Sequence, residues 1–311
     1  MSTEGLFAAF EEFPNERAFE RYSALVGLDE TKRKLLAEAR VLLDPTSVET
    51  WSKKMHKTTI PAVADVIDRT PLVVLAGDVG TGKTELAETV GDAIARELSV
   101  KVMLYPLSLS IRGHGAVGEM TTLLAKAFEA VHEFAKGARG RDGQLRHGVI
   151  LLVDEADALA QSRELVQMHH EDRAGVNALI RGIDGLRKDR LPVLTIMCTN
   201  RADAIDPAVR RRAAAVFMFH RPDDADRDAI LQRAFKGVTI SAAEMADIVR
   251  LTGPVKGTEY GCTYSDLRQR FIPSAVLQAV DAGVPITGRQ LIQIATTFVP
   301  TRPFEPGQMG D

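Results

Sequence analysis

Short apolar runs alternate with longer amphipathic stretches over residues 29–199. The short runs have the length and the continuous hydrophobicity of strands buried on both faces. They lie at residues 71–76, 100–107, 149–153 and 193–199. The longer stretches repeat apolar residues at helical spacing, and they lie at residues 29–43, 85–98 and 119–136. Strands that alternate with helices predict an α/β fold in which helices cover both faces of a parallel sheet.

Beyond His220 the pattern is helical, and no segment there has the character of a strand. Amphipathic segments at residues 223–236, 241–251, 264–282 and 287–298 predict a small all-helical domain. Residues 44–70 are polar and contain Pro45 and Pro61, which predicts a surface connection. The expected organisation is a short N-terminal segment, a large α/β domain, a helical domain and a flexible tail, at residues 1–21, 22–220, 221–300 and 301–311.

The amino-acid composition and the charge exclude several classes of protein. Hydrophobic residues make up 45% of the 311 positions, enough for a buried core, and the net charge is −3. This near balance gives no overall nucleic-acid footprint. Cys198 and Cys262 are too few for a disulfide framework and fit a reducing cytosol. The first residues lack the basic region of a signal peptide, and no apolar run is long enough to cross a membrane, so we expect a cytoplasmic protein.

A glycine-rich stretch, "GDVGTGKT", follows the first apolar run and fits the pattern G-x-x-x-x-G-K-[ST]. Its glycines allow successive backbone N–H groups to surround phosphate oxygens, and the start of the next helix adds partial positive charge. Lys83 is expected to reach the β and γ phosphates, and the Thr84 hydroxyl to bind Mg²⁺. The predicted ATP-binding residues are Asp78, Val79, Gly80, Thr81, Gly82, Lys83, Thr84, Glu85 and Leu86.

Two acids end the run "VILLV", at the strand edge where open α/β sheets bind their ligands. Asp154 is expected to hold Mg²⁺ through its water shell, and Glu155 to orient and polarise the attacking water. The letters "DEAD" at 154–157 are also found in RNA helicases, but no second helicase-like core follows. We assign Asp157 to capping the following helix.

A polar amide, Asn200, ends the run "VLTIMCT". Placed beside the strand of the two acids, it is expected to contact the γ-phosphate and the water. Three arginines, Arg210 to Arg212, follow about ten residues later. An arginine that reaches the γ-phosphate of a neighbouring subunit stabilises transition-state charge, and we assign that role to one of the three.

In this order the motifs resemble those of AAA+ ATPases, over residues 22–300. "LVGLDETKRKLL" at 25–36 is similar to the segment that borders the adenine, which implies contacts from Val26 and Gly27. "TNRADAIDPAVRRR" at 199–212 is similar to the second region of homology and favours Arg211 or Arg212 as the finger. The resemblance implies a P-loop ATPase domain with a helical lid domain, in a closed homo-oligomeric ring that is usually a hexamer.

Within this family, residues 176–200 and 210–231 look most similar to the pachytene-checkpoint type. That similarity implies a remodeller of HORMA-domain proteins, whose bacterial versions occur in antiphage operons. An ATP-dependent switch or scaffold is an alternative, and the near-neutral charge weakens a second one, a nucleic-acid loader. In the lid sequence "GCTYSDLRQRF" an arginine is expected near Ser265, but the nearest are Arg268 and Arg270.

The glycine-rich stretch "IRGHGAVGE" at 111–119 occupies the place of the first pore loop in these rings. The aromatic residue of the family pattern is missing, since Ala116 stands in its position. The resemblance therefore implies an atypical substrate loop in which His114, Ala116 and Val117 contact the protein substrate.

Overall fold

The structure, a computed structural model, describes residues 7, 10–108, 119–157, 170–201, 205–254 and 259–303. Its strands β1 to β6 are Glu11–Phe13, Leu72–Gly77, Lys101–Ser108, His147–Asp154, Val193–Thr199 and Ala215–Phe219. Its helices α1 to α8 are Glu16–Ser23, Asp29–Leu43, Thr46–His56, Ala62–Ile67, Lys83–Leu98, Glu119–Lys136, His170–Lys188 and Pro207–Arg212. Helices α9 to α12 are Asp224–Ala234, Ala242–Thr252, Ile272–Ala282 and Gly288–Thr297, and a π-helical stretch, Asp266–Phe271, leads into α11.

The six strands form one sheet in the order β1-β3-β4-β5-β2-β6. Strands β3, β4, β5 and β2 pair in parallel, and β1 pairs antiparallel with β3. The inner strands β2 and β5 are buried at every position, as expected for strands covered on both faces. The predicted α/β fold with a parallel sheet is therefore confirmed.

Helices α6 and α7 cover part of this sheet with an apolar layer that includes Leu124, Val131 and Leu179. Their close approach depends on Gly182 of α7, where a Cβ would lie 2.2 Å from the ring of Phe128. Since any side chain at this position would displace the phenyl ring, Gly182 sets the spacing of the two helices.

Residues of the predicted N-terminal segment form β1 and most of α1, and β1 pairs with β3 of the sheet. The ring of Phe13 is fully buried against α5, and a Cβ on Gly91 would lie 2.4 Å from that ring. The main-chain N–H of Asn15 donates to the buried Asp92 at 2.8 Å. The three-residue strand was too short to be recognised by its pattern, so the prediction missed it.

Residues 44–70 are not the simple connection that was predicted, because they contain α3 and α4. Pro45 and Pro61 stand at the N-caps of these two helices, where proline does not interrupt helical hydrogen bonding. Ser52 of α3 is buried, and its hydroxyl donates to the carbonyl of Thr58. The prediction treated the prolines as breakers when they begin helices. The short strand β6 was likewise not predicted.

The chain divides into two compact units. Unit 1 comprises Met1–Ala76 and Lys83–Met218, and unit 2 comprises Gly77–Gly82 and Phe219–Asp311. Among its described residues, unit 2 holds α9 to α12, close to the four predicted helical segments. The domain boundaries given by the sequence stay predictions. No helix within the described ranges is both long and apolar enough to span a membrane.

Candidate nucleotide site

The glycine-rich loop Gly77–Gly82 follows β2 directly and belongs to unit 2. Gly80 and Gly82 have φ angles of +71° and +94°, a left-handed region that disfavours residues with a Cβ. Thr81 is fully buried, and its hydroxyl donates to the carbonyl of Asp78 at 2.7 Å. These contacts shape the loop that was predicted to surround phosphate oxygens.

Helix α5 begins at Lys83, the first residue after this loop. The Lys83 side chain is largely buried, with 5% of its surface exposed. Thr84 stands in the first turn, and its hydroxyl donates to Oδ1 of Asp154 at 3.2 Å. The two residues predicted to hold Mg²⁺ thus meet within unit 1, although they lie 70 positions apart.

Asp154 ends β4, and its carboxyl group is half-buried. Burial raises the pKa of this carboxyl, and hydrogen bonds from the Glu155 N–H at 2.9 Å and from Thr84 oppose the increase. A hydroxyl and a carboxylate are the hard oxygen donors that Mg²⁺ prefers, and a carboxylate can also bind the ion through one of its waters. The donor set therefore fits the ion.

Glu155, the residue predicted to polarise water, is exposed and has a φ angle of +52°. A left-handed backbone at a residue with a Cβ costs about 1–3 kcal/mol, and such strain collects at functional sites. Two neighbouring hydrogen bonds hold the conformation: Glu155 N–H donates to Asp154, and Ala156 N–H donates to the carbonyl of Cys198 at 3.0 Å.

Asn200 follows β5, and its closest described partner is one that the sequence prediction missed. Asp157 accepts from the Asn200 main-chain N–H at 2.7 Å and from the Asn200 side-chain amide at 3.2 Å. It also accepts from the Thr199 hydroxyl at 2.8 Å. Asp157 was assigned to capping the following helix; the residues it would cap lie outside the described residues, so that role stays a prediction. Its described contacts all lie at the end of β5, and no local pattern in the sequence indicated them.

The arginines of α8 differ in their surroundings. Arg212 donates to the carboxylate of Asp184 in α7, with Nε at 3.1 Å from Oδ1 and Nη2 at 3.2 Å from Oδ2. Arg210 and Arg211 are exposed, and within the described ranges neither guanidinium group has a hydrogen bond or an ion pair. Of the two residues favoured as the finger, Arg211 is thus the one whose guanidinium has no partner among the described residues.

The remaining predicted contacts of the nucleotide lie in unit 1. Val26 and Gly27 form the turn between α1 and α2, where Gly27 has a φ angle of +73°. The Glu85 carboxylate accepts from Arg21 of α1 at 2.8 and 2.9 Å, and the Leu86 side chain is fully buried. The Glu85 carboxylate is thus paired with Arg21, and the Leu86 side chain belongs to the core.

Unit 2 holds an arginine beside the glycine-rich loop that the sequence did not indicate. Arg221 forms an ion pair with Asp78 at 2.6 Å and donates to the carbonyls of Gly261 and Thr301. Arg270, considered for a nucleotide contact, instead donates to Asp266 at 2.7 Å. The arginine expected near residue 265 stays a prediction, and the arginine beside the glycine-rich loop follows β6 instead.

Thr301 also shows that the start of the predicted flexible tail has defined contacts. Its hydroxyl and its main-chain N–H both donate to the buried carboxylate of Asp266, at 2.6 and 3.0 Å.

The predicted pore-loop residues His114, Ala116 and Val117 lie outside the described residues, so their role stays a prediction.

The family described as "ATPase family associated with various cellular activities (AAA)" matches residues 73–221. The chain is 48% identical to CD-NTase-associated protein 6 of Escherichia coli (strain MS 115-1), over 97% of each chain. A chain in a solved structure of the E. coli MS115-1 HORMA:CdnC:Trip13 complex superimposes with a TM-score of 0.87, at 47% identity, covering 96% of this chain and 97% of that one. Rhizobiales Trip13 superimposes with a TM-score of 0.74, at 42% identity, covering 96% and 100%.

Proposed function

Because the chain belongs to the AAA family of ATPases, we propose that it hydrolyses ATP to remodel a HORMA-domain protein in bacterial antiphage defence. The observation that carries the ATPase proposal is the hydrogen bond between Thr84 and Asp154, which joins the phosphate-binding motif to the acidic strand end. The HORMA proposal is supported by the solved complex that contains HORMA and CdnC, since its matching chain is 47% identical over nearly the full length.

Phosphate binding falls to the glycine-rich loop and the start of α5. The main-chain N–H groups at the N-terminus of α5 have no partner inside the helix and carry partial positive charge. The ammonium group of Lys83, kept from solvent by burial, adds a full positive charge for the β and γ phosphates.

Thr84 and Asp154 would hold Mg²⁺, which supplies charge neutralisation to the phosphate oxygens when bound. The Thr84 hydroxyl donates a hydrogen bond to Asp154, so that the lone pairs of its oxygen face away from that carboxylate. The second oxygen of the Asp154 carboxylate would accept from a water of the ion. ATP and Mg²⁺ are accordingly the substrate and the cofactor that we assign.

Glu155 and Asn200 act on the attacking water. The carboxylate of Glu155 is exposed beside Asp154, where it can accept a hydrogen bond from a water molecule aligned with the γ-phosphate. Asn200 stands at the end of the neighbouring strand and presents an amide to the same region. Phosphoryl transfer depends mainly on such positioning and on charge stabilisation.

Charge stabilisation from outside the subunit is assigned to Arg211. Its exposed guanidinium lacks a partner within the described ranges, whereas Arg212 is engaged by Asp184. A finger that acts on a neighbouring subunit requires a head-to-tail interface, and such interfaces close into rings. We therefore propose a homo-oligomeric ring, a hexamer by analogy with the family.

The finger is tested by mixing subunits. Arg211→Ala should bind ATP normally and lower the turnover of wild-type partners in mixed rings, because it removes positive charge from a neighbour's γ-phosphate. Arg212→Ala serves as the matched variant and should affect stability more than turnover. Normal turnover in rings that contain Arg211→Ala would show that another residue acts as the finger.

The remodelling function is tested with the HORMA and CdnC proteins of the E. coli MS115-1 complex. We expect the purified chain and ATP to separate labelled HORMA from CdnC, measured by loss of energy transfer between the two labels. The chain from that complex is the positive control, and the Glu155→Gln variant is the negative control. If Glu155→Gln with ATP separates the two proteins as well as the wild type does, the result would instead support a switch that needs ATP binding but no hydrolysis.

A further inference from the structure

Asp157 joins the ends of two neighbouring strands. It lies two residues beyond Glu155 on the β4 side, and its three described partners are groups of Thr199 and Asn200 on the β5 side. Oδ1 accepts from the Thr199 hydroxyl and from the Asn200 main chain, and Oδ2 accepts from the Asn200 amide. The phosphoryl-transfer roles described above leave this carboxylate without a function.

The chemistry of the pair fixes the orientation of the amide. An ionised carboxylate only accepts hydrogen bonds, whereas an asparagine side chain has one accepting and one donating end. Asn200 must therefore turn its NH₂ group toward Asp157, at 3.2 Å. Its carbonyl oxygen and its second N–H then point away from Asp157. Without Asp157, nothing described around Asn200 would distinguish the two orientations of the amide.

The Asp157 contacts act independently of the backbone of Glu155. That backbone is attached by the bond from Ala156 N–H to the Cys198 carbonyl and by the bond from Glu155 N–H to Asp154. Neither bond involves the Asp157 side chain. A change at Asp157 should consequently alter Asn200 while leaving the position of Glu155 in place.

We propose that Asp157 is a positioning residue for ATP hydrolysis, which sets the orientation of the Asn200 amide toward the γ-phosphate and the attacking water. This inference rests on the proposed ATPase function. Asp157 itself touches neither the nucleotide nor the water, and all of its effect on the reaction passes through Asn200.

Asp157→Asn is the most selective test, because the new amide keeps the size of the side chain. Its oxygen can still accept from Thr199 and from the Asn200 main chain, but its NH₂ group would face the NH₂ group of Asn200. We expect kcat for ATP to fall roughly 10-fold, with KM and the Kd of a fluorescent ATP analogue unchanged, as for the loss of one charge-assisted hydrogen bond. An unchanged kcat would overturn the proposal.

A double-mutant cycle shows whether the effect passes through Asn200. Asn200→Ala alone should lower kcat, and adding Asp157→Asn should lower it no further. If instead the two reductions multiply, Asp157 acts by another route and the proposal is wrong. Thr199→Val is the matched control. It removes one bond to the same carboxylate and the bond that the Arg201 N–H donates to the Thr199 hydroxyl, and it keeps both bonds from Asn200 to Asp157. Its kcat should stay within about twofold.

A spectroscopic measurement separates this proposal from the ATPase proposal. The side-chain amide signals of Asn200, assigned by their loss in Asn200→Ala, should show slow hydrogen exchange in the wild type and fast exchange in Asp157→Asn. If the wild type does not hydrolyse ATP but these signals change as described, the proposed function fails while the orienting contact stands. Equal exchange in both proteins would show that Asp157 does not orient the amide.

Discussion

Two polar regions of the molecule, one in each unit, contribute the predicted phosphate-binding residues, and they are built differently. In unit 1, Thr84, Asp154 and Asn200 stand at the start of a helix or at strand ends, where the fold itself brings them close. In unit 2, the glycine-rich loop is held by Arg221 and by the main-chain N–H of Ser265, which donates to the Gly80 carbonyl at 3.0 Å. The first region takes its geometry from the sheet, and the second depends on individual side chains. Substitutions should therefore separate catalysis from loop stability.

The largest effect is expected at the strand ends, for Glu155→Gln. The amide keeps the shape of the side chain but cannot act as a base, so turnover should fall by about 10²–10⁴-fold, as for loss of a general base. Binding of ATP should persist, measured by a fluorescent analogue. Glu129→Gln on the exposed surface of α6 is the control and should hydrolyse ATP normally. A Glu155→Gln protein that turns over at the wild-type rate would contradict the assigned role.

A large effect on stability is expected for Arg221→Ala in the second region. The ion pair with Asp78 is mostly buried, with exposed fractions of 14% and 20%, so the variant removes the positive charge beside a mostly buried carboxylate. We expect a loss of about 3 kcal/mol in unfolding free energy by urea titration. Arg250→Ala breaks an exposed ion pair with Asp247 in the same unit and should cost less than about 1 kcal/mol. If the two variants lose the same unfolding free energy, the mostly buried Arg221–Asp78 ion pair stabilises the protein no more than the exposed pair does.

An intermediate effect is expected for Gly80→Ala. The φ angle of +71° disfavours alanine, and the added Cβ would meet the Thr263 hydroxyl at 2.8 Å and the Ser265 Cβ at 2.9 Å. The comparison variant is Gly237→Ala, which has a φ angle of +92° but nothing within 4 Å of the added Cβ. Both should lose about 1 kcal/mol from backbone strain, and only Gly80→Ala should also weaken ATP binding. Similar binding in the two variants would mean that the loop tolerates the extra atom.

The smallest effect is expected for the loss of stability at acidic pH. Burial would raise the pKa of Asp266, but hydrogen bonds from Thr263, Thr301 and Arg270 outweigh it and lower the pKa below its ordinary value. Because the pKa is depressed in the folded state, this carboxylate stabilises unit 2 at neutral pH, and the stabilisation is lost as the pH falls below about 4. The pH dependence of unfolding should therefore flatten in Asp266→Asn. An unchanged dependence would assign the acid sensitivity to other groups.

The same contrast explains what the sequence could predict. Strands β2, β4 and β5 are continuous apolar runs, and each precedes a polar motif. From the sequence, Thr84 could therefore be placed at the start of a helix, and Asp154, Glu155 and Asn200 at strand ends. The Arg221–Asp78 pair joins positions 143 residues apart and has no local pattern. The Asp157 contacts were missed for a related reason, since an acid after a strand is equally consistent with a helix cap.

The left-handed backbone at Glu155 has a consequence for variation at this position. Glycine would relieve the strain, by about 1 kcal/mol or more, and would remove the carboxylate that the proposed reaction needs. A screen that selects for folding alone should therefore enrich Glu155→Gly, whereas selection for turnover should remove it. At this position stability and activity therefore favour different residues. The frequency of glycine at position 155 in a selected library would show which of the two properties the selection favoured.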